Sequence, residues 1–327
     1  MSDAPREHAA PSPRLSLRQL LSAVVLVAVA AAVLGGAQEL IGPNTATSGY
    51  LTILFLLSVV RGSSWRTRIL STVWSFAVAL LGFTVGGLGL WVTLIALVVV
   101  SLLQGFVTVG ETVLLTRSPV NLLAFAALAQ GGAELWHVLL GSVIGAAVIW
   151  AFAAIARERH VPLPHGTSTA ERIGYGIATA AGSVLIVAAG NAIGFLHVGW
   201  ALLSFCIILS VGADERAARG FLRVVWSVVG AILAMLVSLL PAPIPTIAAA
   251  ACAVLCVAYV SAGNYAYFML FLTPTILLTT ATEHSMLVLG LLRLEALGVA
   301  TVLALLSGFL ITAVIARVRR ARPGDVA

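Results

Sequence analysis

Residues 219–230 read RGFLRVVWSVVG, with Arg219 and Arg223 standing four apart at the head of an apolar run. Four residues is about one helical turn, so on a helix the two side chains share a face. A guanidinium is a planar fork that matches a carboxylate, so such a pair would gather anions. Two more runs carry ionisable groups: Glu111 opens one and Arg117 lies further in, and Arg293 and Glu295 sit at the outer end of another. Ionisable groups inside a membrane span are costly and are candidates for function. Other roles stay open for each. Arginines at a span end also snorkel to headgroups and pin topology, and Asp214 and Glu215 precede Arg219 as internal partners. Arg293 and Glu295, two apart, cannot pair along one helix face. Arg293 is left to grip a carboxylate or to bridge to Glu283 or Glu134.

The runs that must position these groups are lipid-embedded helices. The chain has 327 residues, 61% hydrophobic and 9% charged, against about 25% charged in a soluble domain. A spanning helix needs about 20 mainly apolar residues. The expected spans are 19–38, 46–60, 70–87, 89–107, 112–132 and 136–156, then 173–194, 198–212, 222–240, 244–261, 264–281 and 290–315. The runs are continuously apolar, which excludes the alternating pattern of a membrane barrel. The expected fold is therefore an all-α integral membrane protein of about twelve transmembrane helices.

Charge sets the orientation. All 18 basic residues are arginine. With these spans every one but Arg293 falls on the same side, and basic loops stay cytoplasmic. Both termini are therefore expected in the cytoplasm, and the net charge of +6 reads as a topology signal. A nucleic-acid partner is not expected, since no basic stretch is interleaved with aromatics. Cys206, Cys252 and Cys256 fall inside spans as small apolar packing residues, and no metal ligand set accompanies them. No cofactor is expected. A phosphate-binding glycine loop with lysine is missing, and no Asp or His cluster supports an enzyme. His137, His197 and His284 are expected near the outer surface.

The two halves can be laid over each other. Val73-Trp74-Ser75 and Val225-Trp226-Ser227 each follow an arginine-bearing stretch, and Ser118-Pro119 corresponds to Thr273-Pro274. Six spans per half is an even number, so the repeats would be parallel. The expected layout is a cytoplasmic tail 1–18, a first six-helix repeat 19–156, a linker 157–172, a second repeat 173–315 and a basic tail 316–327. Pro119 and Pro274 each remove a backbone hydrogen bond, which predicts kinked helices at matched positions. Interrupted helices at matched positions mark a transporter's site, with Asn264 and Thr273 beside the second.

Residues 171–300 resemble the fusaric-acid-resistance-like and aromatic acid exporter group of bacterial membrane proteins. The resemblance lies in GWALLSF at 199–205, Arg219 and Arg223 four apart with Gly230 beyond, NYAYFMLFLTP at 264–274 and RLEALG at 293–298. Trp226-Ser227 replaces the group's Gly-Thr, and Thr67 and Ser71 stand where the first half would carry its arginines. The resemblance implies export of hydrophobic or aromatic organic acid anions across the bacterial plasma membrane, driven by the proton gradient. Plant aluminium-activated malate transporters look like distant relatives and act as anion channels, so passive permeation is the alternative. A non-catalytic scaffold or subunit is the third reading. The partners implied are membrane lipids and small organic acid anions, and a homo-oligomer is compatible with all three.

Because the linker 157–172 joins two even-numbered sets of spans, a reporter fused after Pro164 should read as cytoplasmic. An external signal from that fusion would overturn the topology.

Overall fold

In hydrocarbon no water is present to bond backbone amides, so each apolar run must satisfy its own as a helix. A computed structural model of the chain describes residues 15–62, 65–107, 117–156, 169–195, 197–210, 213–280 and 286–321. These residues form twelve helices. The first six are α1 (Leu17–Ile41), α2 (Thr45–Gly62), α3 (Trp65–Gly86), α4 (Leu90–Val107), α5 (Ser118–Gln130) and α6 (Leu135–Ala156). The second six are α7 (Thr169–Ala192), α8 (Val198–Leu209), α9 (Ala213–Ser238), α10 (Ile244–Ser261), α11 (Tyr265–Thr280) and α12 (Met286–Ala321). Seven are long and apolar enough to cross a membrane, and between 22% and 56% of each such segment is buried within the protein. Their remaining faces expose large apolar side chains such as Val143, Leu185, Leu236 and Phe309, as a lipid-facing surface requires.

Helix ends follow local chemistry. At the start of α1, the Ser16 hydroxyl accepts from the Gln19 amide at 3.2 Å while the Gln19 side chain accepts from the Ser16 amide at 3.0 Å. This reciprocal pair is a capping box, and it satisfies two donors that the helix cannot. α5 begins at Ser118 with Pro119 in its first turn, and the expected start at 112 lies outside the described residues. The amide that proline lacks has no helical partner at that position. Pro119 therefore starts a helix where a kink was expected, whereas Pro274 lies inside α11.

By internal packing the chain forms two units, one of residues 1–28 with 221–294, the other of 29–220 with 295–327. The larger unit has a continuous apolar core that includes Leu97, Leu122, Leu202, Phe205, Leu209 and Ala300. α8, with 12 residues, reaches about 18 Å, short of the roughly 30 Å hydrocarbon core. It is correspondingly enclosed, with Leu202, Phe205, Cys206, Ile208 and Leu209 all buried. Small residues let backbones touch in this unit: Gly82 and Gly86 of α3 lie against the Leu122 and Ala126 backbone of α5, and Gly145 of α6 against Gly49 of α2. Such contacts drive helix association where lipid removes the hydrophobic incentive. In the smaller unit, Gly230 of α9 meets the Leu270 carbonyl and Pro274 of α11.

These contacts give a test of packing. A side chain at Gly82 would collide with the Leu122 carbonyl, so Gly82→Val should cost about 1–3 kcal/mol or more. Gly36, with open space around it, should accept alanine with no loss and a helix-propensity gain of up to about 1 kcal/mol. Thermal unfolding of both variants in detergent checks the contrast.

Candidate functional site

In the smaller unit the sequence brings α10 and α11 together through a three-residue turn, Ala262-Gly263-Asn264. Gly263 has φ +70°, a left-handed conformation that glycine adopts without a Cβ clash. The Asn264 amide donates to the Tyr259 carbonyl at 3.0 Å and the Gly263 amide to the Val260 carbonyl at 3.1 Å. This is a Schellman ending, and it closes α10. Asn264 then opens α11, its Oδ1 accepting from the Tyr267 amide at 3.3 Å. Asn264 is thus placed as a helix cap.

The tight turn folds α11 back on α10 and stacks aromatic rings. Tyr259 lies parallel to Tyr267, centroids 4.9 Å apart, and to Phe271 at 5.7 Å. Trp226 of α9 joins this group, 5.5 Å from Tyr267. A second face of α11 carries Tyr265, Met269 and Thr273 at four-residue spacing, and it holds Arg223. One guanidinium nitrogen of Arg223, Nη1, donates to the Tyr265 hydroxyl at 3.2 Å and contacts the Met269 sulfur at 2.8 Å. Thr273 is buried and its hydroxyl donates back to the Met269 carbonyl at 3.3 Å.

Arg223 is only 1% exposed and Arg293 4%. They come from different helices, α9 and α12, yet lie close enough for their charges to interact. Two buried guanidinium groups lie near each other, one of them on the Tyr265 phenol, with the aromatic group on another face of α11. Of the eight ionisable or polar residues singled out from sequence, the fold gathers Arg223, Arg293 and Thr273 here, with Asn264 as the cap that supports them. Arg219, one turn before Arg223, is half-buried, and Glu295 is exposed while Arg293 is buried. Glu111, and the suggested partner Glu283, lie outside the described residues. Sequence reading missed Tyr265, Met269 and the Trp226–Tyr267–Tyr259–Phe271 group as site components. The signal was present in NYAYF and in the Gly-Asn turn, which together predict rings presented on two faces of one hairpin.

Arg117 goes elsewhere. In the larger unit its Nη1 donates to the Leu54 carbonyl at 2.9 Å. Beside it the indole of Trp74 donates to the Ser118 hydroxyl at 2.9 Å, and the Asn121 amide donates to the carbonyl and hydroxyl of Ser75, each at 3.2 Å. The cavity these residues line with Phe55, Leu56 and Ser71 holds about 20 Å³, room for roughly one water molecule. An aromatic acid does not fit there. Histidine is similarly local: His197 stacks on Trp200 at 3.9 Å, and His137 lies 3.7 Å from Glu134.

Lipid-exposed apolar helices around buried charge define a multi-pass helical membrane protein. Residues 172–307, which contain the whole arginine and aromatic constellation, match the fusaric acid resistance protein-like family. The segment is similar to that family, in line with the resemblance seen over 171–300. No curated protein and no solved structure matches the chain.

The cap gives a local prediction. Asn264→Ala should lower stability by about 1 kcal/mol, and Asn264→Asp should retain most of it, as read by thermal unfolding in detergent.

Proposed function

We propose that the protein is a membrane carrier, without catalytic activity, that exports amphipathic organic anions, aromatic carboxylates above all, down a proton-coupled route. The observation that carries this reading is the burial of Arg223 and Arg293 near each other, with Arg223 on the Tyr265 hydroxyl of the helix that also carries the aromatic stack. A carboxylate leaving water loses hydration worth several kcal/mol, and a guanidinium fork offsets that loss with paired charge-assisted hydrogen bonds. The ring of the same molecule gains from aromatic neighbours by about 0.5–1.5 kcal/mol per pair beyond simple burial. The family match adds support for transport. The carrier sits in the bacterial inner membrane with both termini cytoplasmic, an orientation that the arginine distribution favours. Two parallel six-helix repeats agree with the parallel use of Val-Trp-Ser: Trp74 and Ser75 tie α3 to α5, and Trp226 contacts α11 from α9.

The test is uptake of an aromatic acid into proteoliposomes under an imposed pH gradient. Losing a charge-assisted bond of about 1.5–3 kcal/mol should cut flux by about 10- to 100-fold in Arg293→Gln and in Arg223→Gln. Size-exclusion profiles and Arg223→Lys control for folding. Arg117→Gln should stay within about threefold of native, since its guanidinium is committed to Leu54. Flux that follows voltage alone at channel-like rates moves the assignment to a passive organic-anion channel. No flux of any organic anion, with co-purification of a fixed partner, favours a scaffold.

A further inference from the structure

The seam between α4 and α7 in the larger unit is polar where its surroundings are apolar. The helices touch at Gly105 and Gly176, whose backbones are in direct contact. From that point Tyr175, Thr179 and Ser183 follow one another on α7 at four-residue spacing, which is a single helical face. Opposite them α4 presents Gln104 and Ser101, and Gln104 donates to the Tyr175 hydroxyl at 3.4 Å. Ser101, Gln104, Thr179 and Ser183 are all completely buried, at 0% exposure. The hydroxyls of Ser101, Thr179 and Ser183 have no hydrogen-bond partner among the described residues. In helices such hydroxyls commonly bond back to a carbonyl one turn earlier, as those of Thr273, Thr275 and Thr301 do here. The three in the seam do not.

A buried hydroxyl left without a partner is unfavourable, and one that persists in a fold is usually satisfied by ordered water. Each hydroxyl both donates and accepts, so a row of them can hold a file of water molecules. From Tyr175 to Ser183 the row rises about 12 Å, a substantial part of a hydrocarbon core about 30 Å thick. Among the described side chains, the ionisable groups beside it are Tyr175 itself and Arg172, one turn earlier, whose carbonyl lies against Gly105. No carboxylate or imidazole among the described side chains lies in the row, so a proton moving there would pass between waters. Each water would accept a proton on one side and release one on the other, leaving the side chains unchanged.

We infer that the α4–α7 seam is a hydrated path through the larger unit that conducts the protons coupled to transport. It rests on the proton-coupled reading above, but the site is a different one. The first test is cysteine access. In a transport-competent background with Cys206, Cys252 and Cys256 replaced by alanine, single cysteines are placed at Ser101, Thr179 and Ser183, and at the buried apolar Ala178 as reference. Methanethiosulfonate ethylammonium, a small water-borne thiol reagent, should label the three seam positions at least about tenfold faster than the Ala178→Cys reference, read by intact mass. Equal rates mean a dry seam and overturn the inference. The second test is Thr179→Val, which keeps shape and removes the hydroxyl. Uptake driven by a pH gradient should fall about tenfold while binding of the aromatic acid to the purified variant stays unchanged. Unchanged uptake overturns the proton path. If the native protein neither binds nor moves the acid, the carrier reading fails instead, and cysteine labelling still decides whether the seam is wet.

Discussion

Burying the Arg223 guanidinium is the constraint around which the smaller unit is organised. A buried cation is costly unless it is paired or hydrogen-bonded, so the protein must bring polar and polarisable atoms to it. Tyr265 and Met269 supply them, and they can do so together only because α11 is regular over that turn, which stacks residues four apart. α11 in turn takes its direction from Gly263 and its first hydrogen bond from Asn264. Its approach to α9 is set by Gly230, where any side chain would strike the Leu270 carbonyl. A glycine, a cap and a glycine thus place one cation beside a ring system.

The same residue type has a different fate in the larger unit. Arg117 also sits next to a Val-Trp-Ser-bearing helix, but its guanidinium is spent on the backbone carbonyl of Leu54. The Trp74 indole there is locked to Ser118, where Trp226 instead packs against a ring. One short motif therefore serves as a hydrogen-bonded clamp in one place and as the edge of an aromatic cluster in the other. The difference follows from its neighbours: hydroxyls and an amide on α5, tyrosines and a phenylalanine on α10 and α11.

Helices were legible because their signal is local. Continuous apolar runs must be helical in lipid, and α10 begins and ends where the pattern places it, at 244 and 261. α5 was less legible, since a proline after serine reads equally as a kink or as a first turn, and only the path of the preceding chain separates the two. Arg223 and Arg293 were each visible as ionisable residues in apolar surroundings. Their convergence was not, because 70 residues and two intervening helices separate them and no periodicity encodes that distance. Asn264 shows another limit: polarity beside an expected kink drew a functional reading, and the cap that its side chain forms on α11 was not foreseen. The seam hydroxyls left no trace in sequence, since serine and threonine are ordinary in membrane helices and only burial without a partner sets these apart.

α12 brings a consequence of length. Its apolar stretch, Leu287–Ala313, has 27 residues and measures about 40 Å along the axis, some 10 Å more than a typical hydrocarbon core. Such hydrophobic mismatch is relieved by tilting the helix or thickening the bilayer, at a cost of fractions of a kcal/mol per Å. Arg293 lies six residues inside the end of that stretch, about 9 Å along the axis, so its depth below the headgroups shifts with the tilt. Acyl-chain length thereby becomes a control on the cation's surroundings: short lipids draw that end toward the interface, and long lipids submerge it.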